Sequence, residues 1–325
     1  SLTLPAGGAI AQGLNHSYNP HMSNVLRAPA GDRLRYWKMN GLGNDFVIAD
    51  TRSTPFRVTG ALARALADRE TGIGCDQVAA LEPSDQADVF MRIFNADGSE
   101  VGACGNVSRC VAVSLAEETG ARDCAIETAS GVILAKATES GASVDMGAPR
   151  FGWAEIPLAH PVDDANEVFI GPAGAGAAED DVFDLGMASV VNVGNPHCIF
   201  WVDDAEAIDL ARIGPALECH PLFPERVNVS MAEVDTPDSM TLRVWERGAG
   251  LTRACGTAAC AAAVAATRTG RTNRHVTVNL PGGPLDIDWR ERDDHIIMTG
   301  PVEWEHRGEI DVTPAGELAG FREVA

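Results

Sequence analysis

A chain of 325 residues with 45% hydrophobic and 22% charged side chains has globular composition and a length that suits about two domains. Acidic residues outnumber basic ones by 46 to 25, and the resulting formal charge of -21 argues against nucleic-acid partners and anionic membrane surfaces. No apolar run approaches the roughly 18 residues that span a bilayer, so a soluble, cytoplasmic protein is expected.

Residues 1–33 are rich in Gly, Ala, Asn and Pro and lack the apolar stretch of a signal peptide. They read as a flexible or added segment outside the fold, with Met22 as the expected natural start. Strand-like runs follow at 46–48 and 89–94, with a helix-like stretch at 62–67 between them. The turn NADGSEVGA leads into Ala-Cys-Gly, a helix-like stretch at 106–118 and a strand at 132–135. Residues 151–186 read as an inter-half segment whose run from Gly171, GPAGAGAAEDDVFD, is a surface loop. Strand-like runs resume at 190–193, 198–202 and 241–245. The turn ERGAGLTRA then leads into Cys255-Gly256, a helix-like stretch at 257–267, and strands at 276–280 and 296–298. Residues 306–325 read as a C-terminal tail.

The second half of this order repeats the first. Arg92-Ile93-Phe94 precedes Cys104-Gly105 by the same interval as Arg243-Val244-Trp245 precedes Cys255-Gly256, and Gly43-Asn44 matches Gly194-Asn195 at the same offset. The pattern predicts a duplicated α+β unit, 34–150 and 187–305, each with several strands around one well-marked helix.

Cys104 and Cys255 fall at the two helix entrances, where free backbone N–H groups and the helix dipole favour an anion and lower a thiol pKa. The N–H groups of Gly105-Asn106 and Gly256-Thr257 offer a cradle for a carboxylate. Facing halves would set two thiols on either side of one carbon, which suits stereoinversion by paired proton transfer. The other cysteines, 75, 110, 124, 198, 219 and 260, read as small core hydrophobes. Cys104/Cys110 and Cys255/Cys260 lack zinc-ligand spacing, and no metal site is expected. The two lysines, Lys38 and Lys136, sit in no recognisable pyridoxal setting, so no cofactor is expected either.

Six motifs in order carry a specific resemblance: MNGLGNDF from Met39, GIGCDQ from Gly72, RIFNADGSEVGACGN from Arg92, GNPHC from Gly194, FPERVNV from Phe223 and WERGAGLTRACGTAAC from Trp245. The chain resembles the diaminopimelate epimerases, cofactor-independent enzymes of lysine and peptidoglycan precursor synthesis. The resemblance implies two pseudo-symmetric domains, each a curled mixed sheet around a central helix, with the active site in the cleft between them and a homodimeric assembly. It implies that Cys104 and Cys255 are the acid–base pair and that His197 and Glu246 orient groups beside the thiols and move protons. Asn44, Gln77, Asn95, Asn195, Asn228, Glu246 and Arg247 would contact a small-molecule substrate with an amino acid group at each end, with Gly105-Asn106 and Gly256-Thr257 at the reacting carboxylate. The chain departs from the usual motifs at Val107, Leu251 and Ala258. Two rivals are a two-cysteine proline or hydroxyproline racemase, which Arg247 disfavours because such substrates lack a distal carboxylate, and a catalytically silent binding module, which would not need both thiols.

Overall fold

The duplicated sequence becomes a duplicated topology. The computed structural model describes residues 33–102, 104–171 and 185–324. Its first half runs β1 (Arg33–Gly41), β2 (Asn44–Asp50), α1 (Gly60–Ala67), β3 (Gln77–Glu82), β4 (Val89–Asn95), β5 (Glu100–Val101), α2 (Gly105–Thr119), β6 (Asp123–Thr128), β7 (Gly131–Ala137) and β8 (Gly141–Asp145). After β9 (Val168–Phe169) the order returns as β10 (Met187–Asn192), β11 (Pro196–Trp201), α3 (Leu210–Glu218), β12 (Asn228–Thr236), β13 (Ser239–Glu246) and β14 (Gly250–Thr252). It continues through α4 (Gly256–Arg268), β15 (His275–Leu280), β16 (Gly283–Trp289) and β17 (Ile296–Pro301) to β18 (Glu303–Val312) and β19 (Leu318–Val324).

The pairings repeat with the elements. Strands β2 and β3 are parallel, as are β11 and β12, and each parallel pair needs the crossover that α1 or α3 supplies. Likewise β4 lies parallel to β6 across α2, and β13 parallel to β15 across α4. Antiparallel pairing of β8 with β17 joins the halves, so the described strands form one continuous hydrogen-bonded sheet.

In the second half the sheet closes tightly round its central helix because that helix carries little bulk. In α4 every residue from Ala258 to Ala266 is buried, and seven of those nine are alanine, which favours helix and lets strands approach closely. Both central helices share the principal core, whereas α1 and α3 cover outer sheet faces with smaller apolar clusters of their own.

Within the C-terminal segment, residues 306–312 complete β18 and 318–324 form β19, and β18 pairs with β1 from Arg33↔Asp311 to Asn40↔Glu303. Alternate residues Gly308, Ile310 and Val312 are buried, the last two in the cluster beneath α1, which anchors the strand. Helix α3, with its Asp209 side chain capping the Arg212 N–H, was not expected from the sequence. The interpretations of residues 1–32 (including Met22 as start) and of the loop at 172–184 lie outside the described residues. Cys75, Cys110, Cys198 and Cys260 are buried as expected, whereas Cys124 is half-buried and Cys219 is exposed.

Candidate active site

The two helices begin alike. Cys104 and Cys255 are the N-caps of α2 and α4, both extended (φ -150° and -129°), and neither side chain caps its own helix. The first-turn N–H groups are left for other acceptors. The backbone N–H groups of Asn106 and Val107 lie near enough to Cys104, and that of Ala258 to Cys255, to favour a thiolate, and the Cys255 sulfur is 3.5 Å from the Thr257 hydroxyl. Glycine follows each cysteine because Met298 wedges between the helix starts. A Cβ at Gly105 would come within 2.7 Å of Met298 Cε, and one at Gly256 within 2.7 Å of its sulfur.

Both cysteines line one cavity of about 580 Å³. Asn44, Gln77, Asn95, Gly105 and Asn106 enter it from the first half, and Asn195, Glu246, Gly256 and Thr257 from the second. The 151-residue offset pairs Asn44 with Asn195, Asn95 with Glu246 and Asn106 with Thr257. Their bonds repeat too: Asn106 Nδ2 donates to Asn44 Oδ1 at 3.4 Å, and Asn195 Nδ2 donates to Thr257 Oγ1 at 3.4 Å. Gln77 Nε2 donates to Asn95 Oδ1 at 3.0 Å. In the second half Glu246 replaces that amide and accepts from the Thr252 hydroxyl at 2.5 Å.

Burial governs both cavity thiols. It pushes Cys104 up, against the pull of two backbone N–H donors and Arg109, with the nearby Glu246 charge adding to the rise. Cys255 is pushed well above the ordinary thiol value by burial, the Glu246 charge and its hydrogen bond to Glu246, against weaker help from Thr257 and Ala258. The helix entrances were expected to lower both thiols, but desolvation outweighs the N–H donors in this cavity. Burial also raises Glu246, opposed by bonds from Thr252 and Cys255.

Three expected site residues stand behind the cavity wall. His197 is fully buried, with Nε2 2.8 Å from Asn195 Oδ1, and burial beside Arg247 lowers its pKa to about 3. It is therefore a neutral ring that orients Asn195. Asn228 is buried and accepts the Arg247 backbone N–H at 2.9 Å, while the Arg247 side chain donates to the Glu225 carbonyl at 3.0 Å. Asp76, Thr252 and Arg253 also line the cavity, and the sequence reading missed all three. Arg253 makes no ion pair among the described residues and is the cation at the cavity lip, a position nothing in its turn sequence announces. Of the departures noted above, Val107 and Ala258 are in the core and Leu251 is exposed. Among the described residues no group of three His, Cys, Asp or Glu side chains is placed to hold a metal.

The profile described as diaminopimelate epimerase matches this chain twice, at residues 36–152 and 189–305. The chain belongs to the diaminopimelate epimerase family. It is accordingly an isomerase of the epimerase type. The diaminopimelate epimerase of Erythrobacter litoralis is 54% identical over 280 residues, covering 86% of this chain and 98% of that one. That of Rhodospirillum centenum is 50% identical over 282 residues, covering 86% and 93%. Among solved structures, a Bacillus anthracis phenazine biosynthesis protein of the PhzF family has a TM-score of 0.59 at 16% identity, covering 86% of this chain and 100% of that one. A hydroxyproline epimerase from Agrobacterium vitis also has a TM-score of 0.59 at 16% identity, covering 87% and 94%. These structural likenesses establish the pseudo-symmetric two-domain α+β fold and nothing finer.

Proposed function

We propose that the cavity inverts one α-carbon of diaminopimelate, interconverting the LL and meso isomers by proton transfer between Cys104 and Cys255, as a step toward lysine and peptidoglycan precursors. One sulfur, as thiolate, takes the α-proton: the C–H bond breaks and an S–H bond forms. The other, as thiol, returns a proton from the opposite face and is left as thiolate, so the roles exchange in the reverse direction. The first-turn N–H groups at Gly105-Asn106 and Gly256-Thr257 hold the reacting carboxylate and stabilise the charge that develops beside it. Glu246, beside the Cys255 thiol, exchanges its proton. His197 works through Asn195. Asn44, Gln77 and Asn95 serve the distal amino acid group, and Asn228 holds the Arg247 backbone from behind the wall so that the Arg247 fork, once released from the Glu225 carbonyl, can reach the distal carboxylate.

The observation carrying this reading is that two repeat-related cysteines, each at a helix N-terminus, line the same cavity. Free thiols suit a reducing cytoplasm. The working assembly is a homodimer, which sedimentation would check. The direct test is incubation with LL-diaminopimelate in deuterium oxide without added pyridoxal phosphate or metal. Meso product carrying deuterium at the inverted α-carbon is expected, and absence of inversion would overturn the reading.

A further inference from the structure

Arg109 is fully buried and no carboxylate pairs with it among the described residues. It sits one turn into α2, and its side chain runs back toward the helix start. There Nη1 donates to Asn106 Oδ1 at 3.1 Å and touches the Met298 sulfur at 3.7 Å. Nε and Nη2 have no acceptor. Two strand glycines make its slot: a Cβ at Gly41 would lie 3.3 Å from Nη2, and one at Gly300 would lie 3.1 Å from Nε. The repeat does not require an arginine here, because the equivalent position of α4 is Cys260.

A buried guanidinium without a counter-ion is a large liability for folding. Its titratable surroundings are Cys104 and Cys110 from its own helix and Cys260 from α4, while β1 and β17 present the uncharged Gly41, Met298 and Gly300. Negative charge can therefore arise close to Arg109 at Cys104 as thiolate, or arrive as a substrate carboxylate at the α2 entrance.

We infer that Arg109 is a positioning residue for the epimerisation: it fixes the Asn106 carboxamide and supplies the countercharge that makes the α2 entrance the anion-holding side of the cavity. With Oδ1 committed to Arg109 and one Nδ2 hydrogen directed at Asn44, the other Nδ2 hydrogen is left for the anion. The inference rests on the two-thiol reading of the cavity.

The test is thiolate absorbance and alkylation of Cys104 against pH, alongside steady-state kinetics, in the full-length protein and in Arg109→Met and Arg109→Lys. Removing a buried unpaired charge with an apolar side chain of similar length is compatible with folding. In Arg109→Met the Cys104 midpoint should rise by roughly one pH unit or more, with kcat/KM falling on the order of 10- to 100-fold. Arg109→Lys keeps the charge and loses the fork, so it should restore the Cys104 midpoint while KM stays raised. In the unaltered protein Cys104 should titrate below Cys255, and should neither Arg109 variant fold, the order should persist in Glu246→Gln, where the carboxylate that raises Cys255 is gone. An unmoved Cys104 midpoint in Arg109→Met, or Cys255 titrating first in the unaltered protein, would overturn the inference. Failure of the two-thiol reading is distinguishable, since it would appear as net inversion surviving Cys104→Ala or Cys255→Ala, whatever Arg109 does to the Cys104 titration.

Discussion

At the α2 entrance, Cys104 faces the N–H groups of Asn106 and Val107 and has the Arg109 cation behind it. At the α4 entrance, Cys255 contacts the Thr257 hydroxyl at 3.5 Å and has the Glu246 carboxyl group beside it. The scaffold is duplicated in strand order, pairing direction and helix start, yet the charges behind its two thiols are opposite in sign. Two coupled thiols share one proton in the singly protonated state, and unequal surroundings bias which of them holds it.

Removing either thiol breaks this comparison most severely. Cys104→Ala and Cys255→Ala should each reduce net inversion by roughly 10²- to 10⁴-fold or more, measured by conversion of LL to meso substrate. Near-normal turnover in either would remove the need for a pair.

Replacing Glu246 by Gln sharpens the comparison. Its charge raises both thiols, so the variant should lower the Cys255 midpoint and move the acid limb of kcat/KM to lower pH. The direction follows from the chemistry: the reaction needs one thiolate, and a raised thiol pKa delays its appearance as pH rises. On the proposed role of Glu246 in exchanging the Cys255 proton, kcat should fall by about 10²-fold.

At the cavity lip the asymmetry is local. Arg253 is the exposed cation lining the cavity and can contact one carboxylate of a substrate whose net charge is zero, so Arg253→Gln should raise KM by roughly 3- to 10-fold with kcat little changed. A KM unmoved by the substitution would rule out that contact.

The smallest effect is on stability. His197 has a folded pKa of about 3 against an ordinary 6.5, so between these values the unfolded chain binds more protons. Stability is therefore lost as pH falls through that window. From about pH 7 to pH 5 the unaltered protein should lose about 2 kcal/mol more than His197→Gln, measured by denaturant unfolding.

The fold was legible where the duplication left matching runs of apolar residues and matching Cys-Gly helix starts. It was illegible where elements depend on partners distant in sequence. Helix α3 is short and has Gly214 and Pro215 in its interior, both poor helix signals, and its amphipathic face gains meaning only against the cluster containing Phe200 and Met231. Strand β18 is dense in charge, and its pairing with β1 joins residues more than 250 positions apart. The site divides in the same way. Cys104, Asn106, Cys255 and Thr257 are announced by local pattern, and Asn44 and Asn195 by the repeat. Arg253 lies in a turn that gives no sign of facing the cavity. Arg109 looks like any helical arginine until Gly41 and Gly300, from two separate strands, close its slot. The thiol pKa values were misjudged because a helix terminus is visible in sequence and the depth of a cavity is not.

The most direct measurement is a crystal structure with a diaminopimelate analogue bound at the cavity. The account predicts both sulfurs within roughly 3 to 4 Å of the same α-carbon, on opposite faces, with the carboxylate on the paired helix N-termini. A bound α-carbon reached by only one sulfur, with the other turned into the core, would contradict it.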